Sequence, residues 1–329
     1  MFQVDPILWL QSFESPWLTW LMSTLSLLGH TPFYGTLIFI IMYGFNLRKG
    51  LLLFLALVIA GLFTDSLKTG LKFPRPSDID VRVVEPGSQT PLKLVDAGGG
   101  QSFWDLPSSE AMAAVKRQPD WSYGFPSGHA SAAAAFFLGL AFFFRTRKVL
   151  AISVTWVVLM AFSRMYLGRH FIADVIAGIL LGALAVGIAL YLVRGIDSDN
   201  FLQRKAKIFL VPFGVVTALI CLLPFVRFLD SAIIGRLFGL LVTYVVASKM
   251  GLLSSGDGKV WTRIMRILIA MVLYTIFDQL IGYLMESTGW EDLAFLDLVA
   301  TCLVSSVPFI LIFLVLRRFS LYKDVKSHY

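Results

Sequence analysis

Three polar clusters interrupt a chain that is otherwise strongly apolar, and their residue types suit one kind of ligand. The first runs from Lys68 through Lys72 to Pro74, Arg75 and Pro76. The second is Pro126, Ser127, Gly128 and His129, and the third is Ser163 and Arg164 followed by His170 and Asp174. Lys68, Arg75 and Arg164 are cations that suit a phosphate dianion and the charge of its transition state. Ser127, Gly128 and His129 stand just ahead of an Ala-rich run, where a helix N-terminus offers free backbone N–H groups to an anion. His170 and Asp174 have i,i+4 spacing. On one helix the carboxylate accepts from one imidazole nitrogen and leaves the other as a nucleophile. His129 is then the natural proton donor to a departing oxygen. Lys68 and Arg75, seven apart, share a face if their helix persists, and Pro74 and Pro76 then end it.

The elements that must position these groups are membrane helices. Of 329 residues, 57% belong to the set AVILMFWYC and 15% are charged, with a mean hydropathy of +0.77. Soluble domains carry about 25% charged residues. This balance excludes a disordered chain, a disulfide scaffold and an ordinary soluble enzyme. It reads as an integral membrane protein of the all-α class, a polytopic transmembrane helical bundle. The net charge of +7 does not point to nucleic acid, because the basic residues sit in small clusters between apolar runs. Cys221 and Cys302 both lie inside apolar runs, so no disulfide is expected. The N-terminus lacks a basic region followed by a small-residue cleavage site, so no removable signal peptide is expected.

A bilayer crossing takes about 20 apolar residues. Ser15 to Leu47 carries no formal charge but is too long for one straight helix, and Gly29, His30, Thr31 and Pro32 should bend or break it. Further spans are expected at Gly50–Leu67, Ala130–Phe144, Val149–Leu167, Phe171–Val193, Ile208–Val226, Phe228–Ser248, Ile264–Met285 and Leu293–Leu316. That makes about nine. Arg48, Lys49, Arg145, Arg147, Lys148 and Arg194 fall in segments of one side, and the short segments of the other side hold only Arg169 and Arg227. Lysine and arginine favour the cytoplasmic side, so the N-terminus is expected outside and the C-terminus inside. All three polar clusters then emerge at the outer face. Residues 1–206 are expected to form the core, with an outer loop over 77–125, and residues 207–329 to add C-terminal spans and a short basic cytoplasmic tail. The loop exceeds what a compact connection needs, so it is either a functional cap or a mobile excursion.

The ordered set of Lys68 to Arg75 and Pro76, then Pro126 to His129, then Ser163 to Asp174, resembles the type 2 phosphatidic acid phosphatase family. That family shares its active site with glucose-6-phosphatase and the vanadium haloperoxidases. The resemblance covers roughly residues 50–193, and no residue of the three motifs departs from the pattern. It implies a six-helix core with extra C-terminal spans, and a metal-independent phosphatase working through a phosphohistidine intermediate. By motif position, His170 resembles the nucleophile, Asp174 the residue that orients it and His129 the general acid. Lys68, Arg75, Ser127, Gly128 and Arg164 resemble the phosphate cradle. No metal and no cofactor is expected.

A site between apolar helices at the membrane surface suits a lipid tail better than a free sugar phosphate. The expected substrate is a lipid phosphate or isoprenoid diphosphate, with undecaprenyl diphosphate, phosphatidylglycerophosphate, phosphatidate and lipid A phosphate all open. A lipid phosphotransferase, a sugar-phosphate phosphatase resembling glucose-6-phosphatase and a lipid transporter are the alternatives. Membrane lipids are the expected partners, without nucleic acid or an obligate protein partner. A bacterial inner membrane, with the site on the periplasmic face, is the expected location. Outside the motifs, His30 and His328 read as structural histidines. Lys72 reads equally as a snorkelling side chain or a phosphate contact. Asp278 and Gln279, inside an apolar span, read as groups bonding across helices. Phe103 and Trp104 read as an aromatic interface anchor or a substrate gate.

Overall fold

The computed structural model describes residues 1–86, 93–118, 121–196, 230–250, 253, 258–290, 293–319 and 321. Among them no strand forms, and an isolated bridge pairs Asp80 with Ala97. The expected span at 208–226, Cys221, His328, most of the basic tail and the expected boundary at 206/207 lie outside the described residues.

Local sequence signals account for the helix ends. Helix α1 is Asp5–Gln11, and α2 is Pro16–Leu27, which starts with proline at its first position, where the missing N–H costs nothing. Helix α3 covers Thr31–Phe39 and runs on as a π-helical stretch, Ile40–Phe45. The break at residues 28–30 falls where the Gly-His-Thr-Pro run stands, and the two helices flanking it are bent by 60°. Helix α4, Leu47–Leu71, is 25 residues long, and α5, Pro76–Ile79, is a single turn. Helix α6 is Ser109–Lys116, with the Ser108 hydroxyl accepting from Ala111 N. Helix α7, Gly128–Ala133, continues through a π-helical stretch at Ala134–Leu138 into α8, Gly139–Phe144. Helix α9, Arg147–Tyr166, is capped by Thr146, and at 20 residues it is about 30 Å long, the thickness of a hydrocarbon core. Helix α10 is Ile172–Ile196. Then come α11 (Ser231–Lys249), α12 (Val260–Thr288), α13 (Ala294–Val304) and α14 (Val307–Arg318).

Among the described residues, six helical segments are long and apolar enough to cross a membrane, or seven if the bent pair counts as one span. The third expected span is present as a shorter apolar helix, Gly128–Phe144. With no charge-free escape for so much apolar surface in water, the chain is an integral membrane protein.

The described chain forms two compact units, Met1–Tyr34 with Phe63–Val186, and Gly35–Leu62 with Gly187–Tyr329. In the second unit, α11 packs closely on α13. The Thr243 hydroxyl donates to Ser305 O at 3.0 Å, and the Ser231 hydroxyl donates to the Asp297 carboxylate at 2.5 Å. Phe39, Tyr274 and Phe309 pack edge to face or tilted around one another in the same unit. Asp278 and Gln279 are exposed on α12.

The first unit contains all three polar clusters. Its packing is set by two features. Phe2 sits against Phe73, Phe125 and Phe171, with ring centroids 5.5, 6.1 and 5.6 Å away, and Phe73 and Phe125 are 5.6 Å apart. Each of those three rings immediately precedes or adjoins one polar cluster, so one aromatic knot gathers all three. The second feature is the close approach of α7 to α10. A Cβ on Gly178 would lie 2.5 Å from Ser127 O, and one on Gly182 would overlap Ser131 O. Gly178 and Gly182 are the small residues of a GxxxG pair, which lets two membrane helices meet backbone to backbone.

The loop over 77–125 is a packed body where it is described. The Lys93 ammonium donates to the carbonyls of Ser77, Asp80 and Val83 at 2.6, 3.2 and 2.8 Å. Leu94 N donates to Asp78 O, Gly98 N to Ile79 O and Ser108 N to Gly98 O. Phe103 and Trp104 form an edge-to-face pair at its exposed surface. Replacing Phe2 by alanine should cost about 3–5 kcal/mol, the usual range for a buried Phe truncation. Thermal unfolding of the purified protein in detergent checks this, and a melting temperature equal to wild type would contradict the knot's role.

Candidate active site

The site is assembled where the three clusters end their helices. Lys68 lies in the last turn of α4, which stops at Leu71 because Lys72 takes a left-handed conformation with φ +53°. The helix therefore does not persist to Arg75. Arg75 instead stands at the N-cap of α5, with its backbone N–H donating to Asp78 Oδ2 at 3.2 Å. Lys72 packs its ammonium 5.7 Å from the centre of the Tyr123 ring.

The end of the 77–125 loop braces these cations. Lys68 Nζ donates to Tyr123 O at 3.1 Å, and Arg75 donates to the Ser122 hydroxyl at 2.6 Å. Trp121 Nε1 donates to Asp78 Oδ2 at 2.9 Å, and Gly124 N to Phe73 O at 2.8 Å. Sequence reading missed Trp121–Gly124 as a support, since no motif marks it.

Ser127 is fully buried and caps α7, its hydroxyl accepting from Ala130 N at 3.4 Å. Gly128 and His129 are the first two helical residues, so their N–H groups have no intrahelical acceptor. Ser163 donates to Met160 O, and Arg164 is buried at the end of α9 with one guanidinium nitrogen on the Ser26 hydroxyl. Ser26 was not a candidate from the sequence.

His170 precedes α10 rather than lying on it, and Asp174 occupies the first turn. The pairing expected from their spacing nevertheless forms. His170 Nδ1 and Asp174 Oδ2 are 3.2 Å apart, with both side chains at 2% exposure or less. Asp174 Oδ2 also accepts Phe171 N at 2.9 Å, a reach back to the helix start that resembles half a capping box. The Asp174 carbonyl accepts Ser127 N at 2.9 Å, so the second and third clusters share a backbone bond. With Nδ1 engaged, Nε2 of His170 is the nitrogen left to act.

Charge and burial define what the site takes. Burial first, then Arg164, Arg75, Lys68 and His129, hold the His170 imidazole well below the ordinary histidine pKa, so it is neutral at physiological pH. Asp174 acts on both Lys68 and Arg75, with Asp65 also acting on Lys68 and Asp78 on Arg75. Nε of Arg75, Nε of Arg164 and Nε2 of His129 are buried without a hydrogen-bond partner. Unpaired buried donors on cations are costly, and an oxyanion resolves that cost. Among the described residues, no three His, Cys, Asp or Glu side chains cluster as metal ligands.

All eight candidate residues thus lie in one unit and around one point. Missed were Ser26, Gly29 and His30 at the end of α2. The His30 ring stands edge to face on His129 at a centroid distance of 4.8 Å, so it is a neighbour of the site and not a remote structural histidine.

Comparison with known proteins bears on the same stretch of sequence. Residues 49–198, a segment that contains all three motifs, match the sequence model of the PAP2 superfamily. A lipid A 4'-phosphatase of Bacteroides thetaiotaomicron is 24% identical over 151 residues, 46% of this chain and 58% of that protein. Phosphatidylglycerophosphatase B of Bacillus subtilis is 36% identical over 85 residues, 23% of this chain and 40% of that protein. The chain therefore spans about half the length of these relatives. The crystal structure of LpxE from Aquifex aeolicus aligns over 58% of this chain and 96% of its own, at 21% identity and a TM-score of 0.43.

The low pKa of buried His170 makes stability depend on pH. An unfolded histidine takes up a proton below about pH 6.5, while the folded one does not. The unfolded state then binds more protons, so stability is full above that pH and falls below it, by at most about 1.4 kcal/mol per pH unit for one group. Thermal melts between pH 7.5 and 5 should show this decline, and His170→Asn should flatten it. An unchanged slope in that variant would contradict a neutral buried imidazole.

Proposed function

We propose that this protein is a membrane phosphatase that hydrolyses a lipid phosphate or an isoprenoid diphosphate. The observation that carries the reading is the oriented His170–Asp174 pair set among buried, unpartnered donors of Arg75, Arg164 and His129. The names of the two relatives, both phosphatases of lipid phosphates, support the substrate class. The distribution of lysine and arginine supports a site at the outer face of the membrane, and in a bacterium at the periplasmic face of the inner membrane.

In this reading Lys68, Arg75 and Arg164 hold the phosphoryl oxygens with the backbone N–H groups after Ser127. Nε2 of His170 attacks phosphorus, the P–N bond forms and the bond to the leaving oxygen breaks. His129 delivers a proton to that oxygen. Asp174 keeps the His170 ring in place and supports the positive charge that develops on it, as a buried carboxylate does for a catalytic histidine. Water then attacks the phosphohistidine, gives its proton to His129, and inorganic phosphate leaves with His170 restored. A donor set dominated by imidazoles and cations suits an oxyanion better than a divalent cation, and the reaction is read as metal-independent. The braced segment Trp121–Gly124 joins the loop to the cradle, which makes the 77–125 loop a cap over the headgroup.

Inorganic phosphate release tests this on the purified full chain. Phosphatidate, phosphatidylglycerophosphate, undecaprenyl diphosphate and glucose 6-phosphate are offered separately in excess EDTA. Turnover of at least one lipid is expected, well above the sugar phosphate, and abolished in His170→Ala. Release confined to glucose 6-phosphate, or full loss in EDTA restored by magnesium, would contradict the reading.

A further inference from the structure

The two histidines of the site are held in different ways. His170 is aimed by Asp174 through Nδ1. His129 has no such tether: among the described residues no hydrogen bond holds its ring, and its Nε2 is buried and unpartnered. This follows from the role proposed for it. A group that must hand a proton to a departing oxygen cannot have that nitrogen occupied beforehand, so its orientation has to come from packing.

The packing comes from the end of α2. Gly29 N donates to Ser26 O at 2.9 Å and His30 N to Leu27 O at 3.2 Å, which closes a tight turn. A Cβ on Gly29 would overlap Cδ2 of His129, so the backbone of the turn lies directly against the imidazole. The His30 ring then meets His129 at an interplanar angle of 80° and 4.8 Å between centroids. This edge-to-face geometry is a favoured one for planar rings. His30 is itself exposed, so its own burial does not explain its placement. The same turn supplies Ser26 to Arg164, so a segment outside all three motifs supports two of the site's groups.

We propose that His30 is a positioning residue that holds the His129 imidazole, by ring-to-ring packing, in the orientation required for proton delivery to the leaving oxygen. The inference rests on the reading of His129 as the general acid. It requires a ring at position 30, not a titrating one.

The test uses the full-length protein in detergent, with dioleoyl phosphatidate as a substrate of poor leaving group and p-nitrophenyl phosphate as one of good leaving group. General acid assistance contributes about 10²–10⁴-fold, and loosening the acid forfeits part of it. His30→Ala should lower kcat on phosphatidate by about 10-fold to 100-fold with KM little changed, and should spare p-nitrophenyl phosphate. His30→Phe should restore most of the rate on phosphatidate. Equal losses on both substrates, no loss at all, or a Phe variant as impaired as the Ala variant would each overturn the proposal. The last result would assign His30 a proton-carrying role instead. Melting temperatures of both variants separate a folding defect from a loss of positioning, since a misfolded Ala variant loses both substrates while the Phe variant still reports. His129→Ala measured alongside keeps the two readings apart. If it shows no dependence on leaving group, the general-acid reading fails. If it does and His30→Ala does not, only the role of His30 fails.

Discussion

A carboxylate withdrawn wholly from solvent is costly, and the arrangement around Asp174 offsets that cost at one oxygen, Oδ2, while Oδ1 is buried without a hydrogen-bond partner. Oδ2 takes the Phe171 N–H and faces His170 Nδ1, while the backbone carbonyl takes Ser127 N. One residue therefore starts α10, orients an imidazole and ties α7 to α10. The approach needed for the bond from Ser127 is allowed by Gly178, where any side chain would meet Ser127 O. The aromatic knot of Phe2, Phe73, Phe125 and Phe171 closes the same region from behind.

The cations are placed by a different device. Lys68, Arg75 and Arg164 come from the ends of three helical segments, where polar groups can leave the apolar interior at least cost. Each is braced by a neutral oxygen, from Tyr123, Ser122 or Ser26. Neutral partners fix a cation's position without cancelling its charge. The positive excess is thus retained, and Nε of Arg75 and Nε of Arg164 are buried without a hydrogen-bond partner.

Much of this was legible in the sequence because covalent spacing limits it. The motif residues lie within a few positions of helix ends, and an apolar chain with so few charges reveals its helix ends readily. What was not legible depended on contacts between distant segments. The turn at Ser26–His30 reaches Arg164 and His129 across more than 90 residues, and nothing in its local composition distinguishes it from a break between helices. His30 read as a structural histidine for that reason. Gly178 and Gly182 carried a readable GxxxG signal, but its partner helix was not readable. The continuity of α4 as far as Arg75 was lost to the left-handed conformation at Lys72, which periodicity alone does not reveal. His170 lies two residues ahead of the helix that carries Asp174, yet meets Asp174 because the chain just ahead of a helix N-terminus can still face its first turn.

The central claim is that His170 carries the phosphoryl group between substrate and water. Rapid mixing with a phosphate-labelled lipid phosphate, quenched and worked up in alkaline denaturant, reads this directly, since the phosphoramidate bond at a histidine is labile in acid and survives in base. Wild-type protein should yield a labelled chain with the label on the peptide containing His170, and His170→Ala should yield none. Label persisting in His170→Ala, or lying on His129 in the wild type, would contradict the assignment.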